Sequence, residues 1–156
     1  MPYEIERKFL VLSALYKNEA ERKIYVKQAY LSTNPNASVR IRIADNQAFL
    51  TIKGKSTHQH TTRFEWEKAI SPEEAQALFN LCETGIIEKH RYIVIFQGKR
   101  FEVDEFMGEN QGLVMAEIEL ENADETFERP AWLGEEVTAN PAYFNLSLAQ
   151  KPYNNW

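Results

Sequence analysis

The chain reads as a mainly β domain with a few flanking helices (α+β): a closed eight-stranded antiparallel barrel with a charged interior. Three observations predict it. Eight segments of strand character follow one another, most of them separated by short turns. Within them, ionisable residues recur at spacing two, so each strand sends charge to one face and apolar bulk to the other. The apolar faces carry large side chains such as Phe9, Trp66 and Phe101, which need cover on the outside. Closing the sheet gives the charged faces a shared interior and removes exposed edges. A two-sheet sandwich is the alternative.

The first strand spans Met1–Leu10, with Glu4, Glu6 and Lys8 on one face and Ile5, Arg7 and Phe9 on the other. Ser13–Glu21 reads as a short helix with Ser13 as cap and Leu15, Tyr16 and Ala20 as a partial apolar stripe. Lys23–Ser32 is a strand. Ser38–Ala44 and Ala48–Gly54 form a hairpin around Asp45-Asn46, and Thr62–Ile70 follows as the next strand. Ser71-Pro72-Glu73-Glu74 opens a helix with cap, first-turn proline and acids in order; it runs through Cys82 and stops near Gly85. Ile86–Gln97 and Arg100–Phe106 pair around Gly98-Lys99. Leu113–Glu121 is the last long strand, and Pro141–Gln150 reads as a closing helix.

A length of 156 residues favours one domain, spanning 1–156, with room for a real core. A net charge of −5 argues against a nucleic-acid partner. No apolar run approaches the roughly 20 residues of a membrane helix, and the N-terminus has no apolar signal region. The single Cys82 rules out an internal disulfide and suits a reducing cytoplasm, where it reads as a buried filler. His58 and His60 lie in a polar loop with no third histidine or cysteine nearby, so they read as solvent-exposed rather than metal-binding. The apolar outer face allows a monomer or a homodimer.

The ionisable residues at spacing two form an ordered set: Glu4, Glu6 and Lys8; Arg40 and Arg42; Lys53; Glu65 and Glu67; Lys89 and Arg91; Glu102 and Asp104; Glu117 and Glu119. Any one pair describes an ordinary amphipathic sheet with a wet face. The set does not, because each strand carries a run of mainly one sign and the signs differ between strands. Six cations (Lys8, Arg40, Arg42, Lys53, Lys89 and Arg91) suit a chain of phosphates, with arginine forking onto phosphate oxygens and lysine acting as a point charge. The carboxylates are too many to be counter-ions alone. An all-oxygen donor set suits Mg²⁺ or Mn²⁺ bridging to phosphate.

The same residues, in this order, resemble a known family: the CYTH domain proteins, or triphosphate tunnel metalloenzymes. The opening Glu4-Ile5-Glu6-Arg7-Lys8 resembles the family signature, and Gln28-Ala29-Tyr30-Leu31 matches a family motif except that Ala29 stands where the pattern has glycine. The tail, Glu136-Val137-Thr138 with Tyr143–Ala149, is similar to the short bacterial branch. The resemblance implies an eight-stranded tunnel, a divalent metal, and hydrolysis of a small-molecule triphosphate, foremost inorganic tripolyphosphate. It implies that Lys8, Arg40, Arg42, Lys53, Lys89 and Arg91 bind phosphates and that Glu4, Glu6, Glu117 and Glu119 hold the main metal. Glu65, Glu67 and Asp104 would serve a second metal or the attacking water, with Glu102 supporting its neighbours. Adenylate cyclase and thiamine triphosphatase are the alternative activities, and a polyphosphate or nucleotide sensor is the alternative without catalysis.

Overall fold

The structure is a computed structural model that describes residues 3–57 and 61–156. His58 and His60 lie outside the described residues. The described strands are β1 (Tyr3–Val11), β2 (Arg22–Ser32), β3 (Ala37–Ala44), β4 (Gln47–Gly54), β5 (Thr62–Ile70), β6 (Ile87–Phe96), β7 (Lys99–Phe106), β8 (Val114–Glu119) and β9 (Leu133–Glu136). Around the ring the order is β1–β5–β4–β3–β2–β6–β7–β8 and back to β1, every pair antiparallel. Because β1 pairs with both β5 and β8, the eight strands close into the predicted barrel and the sandwich is excluded.

The hairpins follow turn chemistry. At Asp45-Asn46, Asp45 takes φ 53° and its carboxylate accepts from the Tyr25 backbone N–H at 3.1 Å. β6 and β7 turn at Gln97-Gly98, one residue ahead of the predicted Gly98-Lys99. Both residues have positive φ, 49° and 77°, the two-residue turn that matches strand twist.

β9 is a strand that the sequence does not announce. β5 covers the second edge of β1 only from Tyr3 to Ile5, and β9 takes over at Phe9 and Val11. Without it, backbone groups in the second half of β1 would lack partners. Gly134 sits where β9 comes closest: an added Cβ would lie 2.9 Å from the Leu10 carbonyl oxygen and 3.2 Å from Leu12 Cδ2. Gly134→Ala is therefore expected to cost about 1–3 kcal/mol as overpacking and to lower Tm by about 2–12 °C for a chain of this size. Thermal unfolding reads this directly, and an unchanged midpoint would show that the junction has slack.

The helices are shorter than the sequence predicts. α1 is one turn, Tyr16–Glu19; Ser13 does not cap it, and Leu15 is exposed. Its apolar anchor is Tyr16, buried edge-on against Tyr92 and Trp132, and Glu19 accepts from Trp132 Nε1 at 3.2 Å. α2 (Pro72–Phe79) opens with the predicted capping box between Ser71 and Glu74 but ends at Asn80, well before Gly85. Cys82 lies beyond it, half-buried against the cluster of Ile41, Ile43, Ala48 and Ala75. The predicted closing helix is split. A 3₁₀ turn spans Pro141–Tyr143, Phe144 is extended, and α3 runs over Asn145–Gln150.

The main core lies outside the barrel. Phe9, Phe101, Val103 and Ile118 alternate with the inward charges and are fully buried with Tyr16 and Trp132. Leu10, Ile87, Phe106 and Met115 share the inward parity of Lys8, Lys89, Asp104 and Glu117 and cluster with Leu148 of α3. They fill one end of the barrel. Trp66 lies on the outer face as predicted, yet it remains 43% exposed. Among the described residues, no helix is long and apolar enough to cross a membrane.

Candidate active site

Alternation on the eight barrel strands turns one face of each inward and forms a cavity of about 160 Å³. Glu4, Glu6, Lys8, Arg40, Arg42, Lys53, Glu65, Glu67, Arg91, Glu102, Glu117 and Glu119 all line it. The register sorts the signs. β8, β1 and β5 bring Glu117, Glu119, Glu4, Glu6, Glu65 and Glu67 to one side; β3 and β6 bring Arg40, Arg42, Lys89 and Arg91 to the other.

Lys89 and Asp104 are predicted site residues that do not line the cavity. They are 0% and 2% exposed. Asp104 accepts a forked pair from Arg91, at 2.7 and 2.9 Å, and an ion pair from Lys89 at 2.8 Å. The reason is their level in the barrel. Lys89 faces Phe106 across the sheet and Asp104 faces Met115, where apolar side chains already fill the interior. This carboxylate holds the cation wall from behind.

On the acidic side, Lys53 Nζ lies 2.5 Å from Glu4 Oε1 and 3.3 Å from Glu65. Lys8 Nζ lies 3.0 Å from Glu117 and 3.6 Å from Glu6. Burial and the neighbouring Glu117 push the Glu6 carboxyl up to about 7. Burial and a hydrogen bond with Glu4 push Glu65 up to about 7 as well. Burial and Glu102 raise Glu119. Burial also opposes charge on Glu4, but Lys53 and Arg63 bring that carboxyl down to about 2. The acids are crowded enough that some hold protons near neutrality.

The cationic side is crowded too. Burial together with Arg40 and Arg91 lowers the Arg42 guanidinium from its ordinary value. Burial, with Arg91 and Arg42 acting against the pull of Asp104, lowers Lys89 to about 7. Among the described residues, neither Arg40 nor Arg42 has a carboxylate within ion-pair distance. Arg42 donates to Gln28 Oε1 at 2.9 Å and Arg40 to Thr51 Oγ1 at 3.4 Å. Among the described residues, the buried Nε of Arg40 has no partner. Orphaned buried donors are rare and call for an acceptor.

The pairwise pattern passes over several contributors. Arg63 lines the cavity and donates to Glu4 at 3.1 Å; it shares the parity of Glu65, so its signal was present. Gln28 and Tyr30 alternate with Ala29 and face Arg42 and Arg40 across the β2–β3 ladder. Asn145 comes from the head of α3, where no periodicity marks it.

For a metal, the donor chemistry fits. Seven carboxylates line one cavity, and their mutual repulsion is what a dication would relieve. Among the described residues, no group of three His, Cys, Asp or Glu side chains is gathered closely enough to hold an ion unaided.

Comparison with known proteins places this geometry. The CYTH domain family model matches residues 2–153. The inorganic triphosphatase of Acetivibrio thermocellus is 44% identical over all of this chain and 99% of its own length. The inorganic triphosphatase of Nitrosomonas europaea is 34% identical over 94% of this chain and 96% of its own. A crystal structure of an inorganic triphosphatase superposes with a TM-score of 0.67 at 33% identity, covering 94% of this chain and 97% of that one. With the barrel, the family model and these relatives each extending over almost the whole chain, the protein belongs to the CYTH domain family.

Proposed function

We propose that the protein hydrolyses a triphosphate, foremost inorganic tripolyphosphate, to diphosphate and phosphate with the help of Mg²⁺ or Mn²⁺. The observation that carries this reading is the cavity-lining pair Arg40 and Arg42: among the described residues neither has a carboxylate within ion-pair distance, and Arg40 Nε has no acceptor. A ligand rich in anionic oxygens would relieve their mutual repulsion and supply the missing acceptor. The activity named for the two relatives agrees with it.

Lys8, Arg40, Arg42, Lys53 and Arg91 grip the phosphates, and Arg63 joins them from β5. Lys89 acts through the wall from behind, and Asp104 holds Lys89 and Arg91 in place. Glu4, Glu6, Glu117 and Glu119 would hold the metal, which supplies charge neutralisation and orientation of the phosphate chain. Glu65, with its carboxyl near neutrality, takes the proton of the attacking water, and Glu67, which accepts from Thr51 at 3.1 Å, orients it. Water adds to a terminal phosphorus, the bridging P–O bond breaks, and diphosphate leaves with the electron pair.

The test is phosphate release from tripolyphosphate, ATP, thiamine triphosphate and pyrophosphate, each with Mg²⁺, Mn²⁺ or EDTA. Turnover of tripolyphosphate above that of ATP, abolished by EDTA, is the expected result. Inertness toward all four would sink the reading, and formation of cyclic AMP from ATP would replace it with the cyclase.

A further inference from the structure

At the inner end of the cavity the charged lining gives way to a neutral side chain. Asn145 Oδ1 accepts from Lys89 Nζ at 3.0 Å and from Gln28 Nε2 at 3.1 Å. Gln28 Oε1 in turn accepts from Arg42 Nε at 2.9 Å, and Lys89 continues to Asp104 at 2.8 Å. One chain of contacts thus runs from Arg42 through two carboxamides to Lys89 and Asp104. An amide oxygen has two lone pairs, and both are taken. The orientation of Asn145 is therefore set by the network, and its two N–H donors are the part left to meet a ligand. Among the described residues, Nδ2 has no hydrogen-bond acceptor, although the side chain lines the cavity. Next to Asn145 along the chain, the Phe144 ring centre lies 5.9 Å from Lys8 Nζ, and with Tyr30 and Arg63 both residues line a second cavity of about 640 Å³, so Asn145 stands between the two spaces.

We propose that Asn145 caps the inner end of the phosphate track, donating to the terminal phosphate of a bound chain and limiting how many phosphates can enter. The inference rests on the triphosphate reading and adds a specificity-determining residue to it. A neutral donor suits this place. Burial and neighbouring guanidiniums already lower Arg42 and Lys89, and a further cation would deepen that repulsion.

Asn145→Asp decides it. The aspartate keeps the oxygen to which Lys89 and Gln28 donate, so α3 stays anchored, but it replaces the N–H donors with a second anionic oxygen. Calorimetric binding of tripolyphosphate in EDTA and initial rates with Mg²⁺ are the readouts. Both Kd and KM are expected to rise by about tenfold or more, the usual effect of losing a hydrogen bond to a charged partner, with the melting temperature retained. Asn145→Ala, which opens the inner end, is expected to raise the kcat/KM ratio of tetrapolyphosphate over tripolyphosphate by about tenfold, a change in selectivity that a merely structural role would not produce. Wild-type Kd and KM in a folded Asn145→Asp protein would overturn the proposal, whatever happens to the alanine variant. A wild-type protein that binds tripolyphosphate in EDTA but turns over neither polyphosphate would overturn the triphosphatase reading instead, and the cap would still be judged by the Asn145→Asp Kd.

Discussion

Lys8→Met is expected to lower tripolyphosphate turnover by about 10²–10³-fold, the scale for removing one preorganised charge at a reacting centre, while leaving the barrel folded. Lys8 is 6% exposed and stands between Glu117 and Glu6 on the cavity wall. Burial opposes its charge, but Glu117 and Glu6 hold the ammonium well above its ordinary value, so it is a cation at any working pH. Methionine keeps the length of the stem and the packing beside Phe144. The fold tolerates the loss because Glu6, already near 7, takes up a proton once its counter-ion is gone. The sign of the pH dependence follows. An acid whose folded pKa is raised binds protons more tightly in the folded state than in the unfolded one, so stability falls as pH rises from the unfolded value near 4 through the folded one. The variant should therefore melt lower at pH 8 than at pH 6, with a steeper slope than the wild type. Full activity in a folded Lys8→Met protein would remove the cation from the mechanism.

The barrel and most of its lining were legible because both depend on one number, the period of two. Once Glu4, Glu6 and Lys8 face inward, the ladder registers carry the same parity to Arg40, Arg42, Lys53, Glu65 and Glu117. Parity says which face a side chain takes but not how deep it lies. Asp104 shares its face with Glu102, yet Glu102 lines the open cavity while Asp104 is sealed opposite Met115. That difference depends on where the apolar end-filling begins, which involves Leu148, far along the chain. β9 was illegible for a related reason. Leu133-Gly134-Glu135-Glu136 has no alternation of its own, and it becomes a strand because β1 has an edge left over. Asn145 reaches the site from a helix end, where neither period applies.

Asp104→Ala separates the two roles that this carboxylate can have. As the shared anion of Arg91 and Lys89, its removal leaves buried Lys89 without a carboxylate and Arg91 with only Glu102 at 3.4 Å, a loss of about 3–5 kcal/mol and roughly 6–20 °C in Tm for a chain of this length. The pH dependence has a definite sign on each side. Burial disfavours the charged carboxylate, but Arg91 and Lys89 outweigh it and bring the Asp104 carboxyl down to about 2. A depressed acid contributes stability above its unfolded pKa near 3.9, and that contribution is lost as pH falls toward the folded value. The gap between wild type and variant should thus close below about pH 4. Toward alkaline pH the variant should recover. Lys89, already lowered to about 7, drops further without its partner and sheds its proton, so the penalty of a buried cation fades as pH rises. Tripolyphosphate in EDTA should raise the variant's melting temperature, since an anion bound only by the folded state stabilises it by mass action and here also supplies the missing charge. If Asp104→Ala instead melts like the wild type and loses only metal-dependent turnover, the carboxylate serves the metal or the water, as its spacing in the sequence implied, and the wall of Arg91 and Lys89 holds without it.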